Sequence, residues 1–153
     1  MIKLSRLTDY AFTLLTQMVG GDKAMWAASD LAERTGLPLP TVSKVLKQLA
    51  KSQIVQAQRG AAGGYSLVKK AHEISVAMVV EAMDGPIALT ECTESGDHNC
   101  SVESVCAMRS KWSKINRAVR HALETVSLAD MQSPAFPPAL RVIQVLDKQG
   151  IEA

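Results

Sequence analysis

The sequence predicts a mainly α-helical fold that carries a single two-stranded hairpin, and three patterns support this expectation. Apolar residues recur at helical spacing in several segments, and two short β-type runs enclose the glycine-rich stretch GAAGG. The third pattern is an apolar seam that repeats every seven residues in the second half of the chain. At 153 residues the chain is about one domain, long enough for a substantial core.

Composition and charge narrow the class of protein. With 47% hydrophobic and 21% charged residues the chain is typical of globular proteins, and no apolar run approaches the roughly 20 residues that cross a bilayer. Arg6 and Asp9 interrupt the N-terminus where a signal peptide would need an apolar stretch, so we expect a cytoplasmic protein with reduced thiols and no membrane partner. Residues 1–70 hold ten Lys and Arg against four Asp and Glu, whereas residues 71–153 hold seven against eleven. The basic half favours nucleic acid as a partner.

Three helices are expected in the first third of the chain. The first has apolar residues at helical spacing from Leu7 to Met18 and ends at a pair of glycines. The second starts at Ser29, whose residue type suits an N-cap, and ends at Gly36. The third follows the prolines of LPLP, since proline is tolerated in a first turn. Its exposed face is polar and basic: Thr41, Ser43, Lys44, Lys47, Gln48 and Lys51.

Two short strands follow, IVQAQR and GYSLV, and we expect them to pair around the GAAGG turn. Helices and hairpin in this order indicate a winged helix-turn-helix, which we place at residues 1–70. The third helix alone could be an ordinary solvated face, although its lysines suit phosphates and its Thr, Ser and Gln suit base edges. The hairpin favours DNA binding, because an arginine at its tip suits a narrow minor groove and glycines allow close approach to phosphates. Its expected DNA contacts are Arg59, Gly60, Gly63, Gly64 and Tyr65.

The second half of the chain is expected to contain a connecting helix and a dimerisation helix. Residues 71–90 form a connecting region, with a helix that Ser75 caps and a Gly-Pro pair stops. The seven-residue seam predicts a long helix over residues 103–128. A narrow seam favours packing against a second copy, and a core helix of the same chain is the alternative. The seam consists of Val105, Met108, Trp112, Ile115, Val119, Ala122 and Val126. The proline-rich residues 129–153 are expected to form a tail.

All three cysteines of the chain, Cys92, Cys100 and Cys106, lie in the loop at residues 91–106, which we call the cysteine segment. An odd number fits neither a closed set of disulfides nor a zinc site made of cysteine alone. Thiolates are soft ligands, which select iron–sulfur clusters, zinc or copper(I). Three interpretations stay open: an iron–sulfur cluster, a zinc site with His98 as fourth ligand, and thiols that are incidental or redox-active.

Several of these segments together resemble the Rrf family of winged-helix iron–sulfur regulators, of which IscR, NsrR and RirA are typical. The resemblance rests on KLSRLTDYAFTLL, SKVLKQL, RGAAGGYSL and the three cysteines, and it covers residues 1 to about 130. The stretch LTECTESGDHNCSVESVCAMRSKWSKINRAV looks most like the regulators of the SUF iron–sulfur assembly operon. The chain departs from the IscR type in a longer first cysteine gap, as in RirA, and in Arg109, which stands where IscR has a histidine ligand.

The resemblance implies a homodimeric repressor of iron–sulfur assembly genes that binds a pseudo-palindromic operator in double-stranded DNA. It implies a 2Fe–2S or 4Fe–4S cluster on Cys92, Cys100 and Cys106. Asp9 of the partner subunit is a candidate fourth ligand, because NsrR-type members carry an aspartate with that role. The alternatives are a zinc- or thiol-redox-responsive DNA-binding regulator without a cluster, and a redox or metal-storage protein without a DNA role.

An enzyme is not expected. Cys106 would be the candidate nucleophile, and neither His72 nor His121 forms a recognisable nucleophile–base pair with it in the sequence.

Overall fold

The computed structural model describes residues 3–93, 100–101 and 103–133, with only the backbone of Glu103. It confirms the mainly α-helical fold with a two-stranded antiparallel hairpin. The helices and strands, in chain order, are α1 (Arg6–Gly20), α2 (Ala28–Thr35), α3 (Leu39–Lys51), β1 (Val55–Gln58), β2 (Gly64–Leu67), α4 (Val76–Asp84), α5 (Arg109–Glu124) and α6 (Leu128–Gln132). Short 3₁₀ turns lie at Ala71–Glu73 and Glu103–Val105.

Helix α1 begins at a polar cap that also ties it to α4. Ser5 Oγ accepts a hydrogen bond from the Thr8 amide at 3.2 Å, and the Ser5 amide donates to Asp84 Oδ2 at 3.0 Å. Burial raises the pKa of Asp84, but the hydrogen bonds from Ser5 and Thr8 outweigh it and hold that pKa below its ordinary value. Behind the cap, α1 buries a continuous apolar face made of Ala11, Phe12, Leu14, Leu15 and Met18. This face is the centre of the core.

Helices α2 and α3 form the helix-turn-helix, with one correction to the expected start of α2. The helix begins at Ala28, and its N-cap is Ala27, which makes no side-chain hydrogen bond. Ser29 therefore lies inside the first turn and is not the N-cap. Gly36 ends α2 in the left-handed conformation, with φ of 70°, and its amide donates to Ala32 O. The apolar side of α3, away from the polar face that the sequence predicts, is fully buried and consists of Val42, Val45, Leu46 and Leu49.

The two strands of the hairpin form where they were expected, with ends that differ by at most one residue. A segment before α2 pairs with the free side of β2. Val55 pairs with Leu67 and Gln58 with Gly64 across the two strands. On the other side of β2, Tyr65 exchanges two backbone hydrogen bonds with Trp26, at 2.8 and 2.9 Å. An isolated hairpin is only marginally stable, so this bridge anchors the wing (residues 55–67) to the segment that leads into α2.

Helix α4 follows its prediction, whereas the C-terminal half differs from it. Ser75 caps α4 and Gly85 ends it. The helix expected over 103–128 forms only between Arg109 and Glu124. The expected tail begins with the short helix α6, where Ser127 and Asp130 make a capping box and Leu128 is almost fully buried. Residues 134–153 lie outside the described part of the chain.

Candidate DNA-binding surface and cysteine segment

The exposed face of α3 is basic. Lys44, Lys47 and Lys51 are exposed, and none of them has an ion-pair partner among the residues that the structure describes. Thr41 and Ser43 lie half-buried beside them. Ser43 and the three lysines line an open groove of about 830 Å³, so phosphate oxygens can reach their side chains.

Gln48 differs from its neighbours on this face, because its side-chain amide group is hydrogen-bonded within the chain. Its side-chain Nε2 donates to the carbonyl oxygens of Ala82 at 3.1 Å and Met83 at 2.9 Å. Both amide hydrogens are therefore directed at the end of α4 and are not available to a base. The sequence gives no signal for this, because a half-buried glutamine and a solvated one look the same in a helical pattern.

The wing presents Arg59 on an exposed turn directly after β1. The glycines near Arg59 were expected to allow close approach to phosphates, and the fold itself also requires glycine at two of these positions. Gly60 has φ of 111°, which residues with a side chain rarely adopt. At Gly64 a Cβ atom would lie 2.5 Å from Trp26 O, so only glycine allows the bridge between β2 and Trp26. Tyr65 is half-buried against the core and belongs to this bridge through its backbone.

Arg59→Ala should weaken binding to specific DNA more than Lys51→Ala. An arginine inserted into a narrow minor groove carries sequence preference, whereas Lys51 supplies at most one phosphate contact. We expect a loss of roughly tenfold for Arg59→Ala and about twofold to threefold for Lys51→Ala at fixed salt. Fluorescence anisotropy on a duplex selected by the wild-type protein from a random pool measures both. Equal losses of affinity in the two variants would contradict a minor-groove contact by Arg59.

The seam divides into an exposed part and a part that packs on the chain's own core. Val105, Met108 and Ile115 have 83%, 43% and 45% of their surface exposed. Val119 and Val126 pack against the core cluster. Trp112 and Ala122 are half-buried. The expected dimer residues are therefore of two kinds: Met108 and Ile115 are exposed, whereas Val119 and Val126 pack on the core of the same chain.

A buried asparagine that no sequence pattern indicates fixes α5 to the segment before the cysteines. Asn116 is only 3% exposed. Its Nδ2 donates to Ile87 O at 2.9 Å, and its Oδ1 accepts from the Leu89 amide at 2.9 Å. The side chain thereby provides the hydrogen bonds that these two backbone groups would otherwise make within a helix or a sheet.

The cysteine segment is anchored at its first end. Cys92 is 7% exposed, and its Sγ lies 3.4 Å from Thr90 Oγ1. Thr93 is fully buried and donates through Oγ1 to Thr90 O at 2.8 Å, which closes a tight turn around Cys92. Cys100 and Cys106 are half-buried. Cys106 lies before α5 and not within the long helix that the sequence predicts over residues 103–128. Its carbonyl accepts a hydrogen bond from the Arg109 amide at 3.3 Å.

The structure does not bring the expected ligands into one cluster. Within residues 3–93, 100–101 and 103–133, no group of three or more His, Cys, Asp or Glu side chains is arranged to hold a metal ion. Asp9 lies exposed in the first turn of α1, and His98 falls outside the described residues. The donor types nevertheless fit an iron–sulfur cluster, since all three cysteines are free thiols and thiolates are its usual ligands.

A winged helix-turn-helix whose third helix exposes lysines without ion-pair partners in the described part of the chain is typical of a DNA-binding transcriptional regulator. The chain belongs to the Rrf2 family, because the family model described as "Iron-dependent Transcriptional regulator" matches residues 4–134. It is accordingly a transcriptional regulator and not an enzyme. No helix in the described ranges is long and apolar enough to cross a membrane.

Two relatives agree with this assignment, and a solved structure supports the fold. The transcriptional regulator IscR of Vibrio campbellii is 27% identical over 152 residues, which cover 99% of this chain and 86% of the relative. The transcriptional repressor NsrR of Streptomyces coelicolor is 26% identical over 142 residues, 91% of this chain and 94% of the relative. The structure of CymR, the global cysteine regulator of B. subtilis, aligns with a TM-score of 0.66 at 23% identity, over 86% of this chain and 97% of that chain. This last likeness supports the fold.

Proposed function

We propose that this protein is a homodimeric, cytoplasmic repressor whose binding to duplex DNA depends on an iron–sulfur cluster, and that it controls genes of iron–sulfur assembly. The cluster would be held by Cys92, Cys100 and Cys106. Its bonds to these thiolates would form or break with the supply of iron or with oxidation. The observation that carries the proposal is the set of three free thiols on a segment anchored beside α5. In a dimer, the two copies of α3 would read the two half-sites of a pseudo-palindromic operator.

The test is to purify the protein without oxygen and to count iron, acid-labile sulfide and zinc per chain. We expect iron and sulfide in equal amounts, a visible absorption band, and loss of both in Cys92→Ser, Cys100→Ser and Cys106→Ser. Zinc without sulfide would favour the zinc-responsive alternative. An apo protein whose DNA binding changes on thiol oxidation would favour the thiol-redox alternative.

Asp9 is the fourth ligand that we propose, contributed by the partner subunit. In one chain its carboxylate is exposed and has no hydrogen-bond or ion-pair partner among the described residues. It lines an open groove of about 970 Å³ at the start of α1, which leaves it accessible to a second copy. A carboxylate is a harder ligand than a thiolate, so its bond to iron would be the weakest of the four.

Asp9→Ala should keep the fold and the dimer but shift the cluster's absorption and shorten its lifetime in air severalfold. His98→Ala is the matched control and should leave both unchanged. Absorption spectra followed over time in air-saturated buffer measure the two variants side by side. An Asp9→Ala protein with the wild-type spectrum and lifetime would contradict the assignment, and a shift in His98→Ala would transfer the role to His98.

A further inference from the structure

Gln48 joins the recognition helix α3 to the last turn of α4. The carbonyl groups of Ala82 and Met83, which accept its two hydrogen bonds, belong to the final residues of α4 and have no partner within that helix. A side chain on the DNA-facing helix therefore completes the C-terminus of the next helix. It does so from between Lys44 and Lys51, two of the lysines that we assign to phosphates.

The same end of α4 leads directly into the cysteine segment. Ile87 is buried, and Asn116 holds the backbone at Ile87 and Leu89 against α5. The next residues form the tight turn around Cys92. Between Met83 and Cys92 the backbone is thus held by hydrogen bonds at several closely spaced positions. A displacement of the backbone at one end of this segment is therefore transmitted to the other end.

We propose that Gln48 is the positioning residue through which the cysteine segment controls the orientation of α3. The inference rests on the proposed cluster-dependent function. When a bound cluster holds Cys92, it fixes the α4 end of the same backbone, and the two hydrogen bonds of Gln48 hold α3 in the orientation that fits the duplex. Without these bonds α3 still folds on its buried Val and Leu stripe, but its orientation no longer follows that of α4.

The test compares DNA affinity of the cluster-loaded protein with that of the chelator-treated protein, on a duplex selected by the wild-type protein from a random pool. In the wild type we expect the two affinities to differ by at least about tenfold, within the usual range of allosteric coupling. In Gln48→Met, which keeps the side chain's length but cannot donate, the ratio should fall to within about twofold of one. The cluster's absorption should stay unchanged in this variant. Gln17→Met on α1 is the matched control and should keep the wild-type ratio.

Two further variants separate positioning from direct contact and from misfolding. Gln48→Arg can donate to the same carbonyls, so it should restore the ratio while its added charge strengthens DNA binding in both forms. Gln48→Glu, which accepts but cannot donate, repeats the test if methionine impairs folding. The salt dependence of binding should be unchanged in Gln48→Met, whereas Lys47→Met should lower its slope by about one.

The outcomes distinguish this inference from the function on which it rests. A wild-type ratio of one would overturn the cluster-dependent function and the inference together. A wild-type ratio above one that persists unchanged in the folded Gln48→Met and Gln48→Glu proteins would overturn the inference alone. An equal loss of affinity in the cluster-loaded and chelator-treated forms of Gln48→Met, with the wild-type ratio kept, would make Gln48 a direct DNA contact and would equally overturn its positioning role.

Discussion

Replacing Asn116 by leucine should lower the free energy of unfolding by about 2–4 kcal/mol. The change leaves Ile87 O and the Leu89 amide without their hydrogen-bond partner in a buried place, and each unsatisfied group costs about 1–3 kcal/mol. Part of this cost is recovered because leucine is apolar and of similar size. Urea unfolding followed by circular dichroism measures the difference, with Lys114→Leu as a control on the exposed side of the same helix.

Lys114→Leu should stay within about 0.5 kcal/mol of the wild type, as exposed substitutions usually do. A similarly small effect for Asn116→Leu would mean that water satisfies the two backbone groups. The anchor between α5 and the cysteine segment would then be weaker than the two 2.9 Å hydrogen bonds indicate.

Ile115→Asp should convert the proposed dimer into folded monomers and abolish specific DNA binding. Ile115 is 45% exposed and is not one of the buried or partly buried residues of the core, so we expect the single chain to tolerate a carboxylate there. In a symmetric dimer the same position is changed twice, and burying two carboxylates is costly. We expect the dimer dissociation constant to rise at least about a hundredfold. Sedimentation velocity over a range of concentrations measures it.

Val119→Asp provides the contrast, since Val119 lies on the same seam but packs against the core. It should unfold the chain or lower its stability by several kcal/mol whether or not a partner is present. If Ile115→Asp keeps the wild-type oligomeric state, the exposed part of the seam is not the dimer surface. If the two variants behave alike, the division of the seam into two parts is wrong.

The sequence predicted those features that depend on local patterns. Helical spacing located α1, α3 and α4, and Ser75 with a following glycine fixed both ends of α4. The glycine-rich turn located the hairpin to within one residue. These signals are local because caps, turns and amphipathic faces are decided by residues close together in the chain.

The features that the sequence did not predict depend on contacts between distant residues. Gln48 and Asn116 are polar, and a periodicity analysis assigns polar residues to solvent, yet both bind backbone groups far away in the chain. The pairing of Trp26 with Tyr65 leaves no local pattern at all. Helix α6 had a usable signal, because Ser127 and Asp130 have the spacing of a capping box, but the prolines that follow obscured it.

The bridge between Trp26 and Tyr65 has a consequence for the kind of operator that the protein can recognise. Since β2 is hydrogen-bonded to the chain that enters α2, the wing is tied to the helix-turn-helix at Trp26 as well as through the chain that joins α3 to β1. If α3 binds the major groove and Arg59 the minor groove, as we propose, the protein sets the distance along the duplex between the two contacts. An operator with one extra base pair between those two positions would satisfy the helix or the wing, but not both at once.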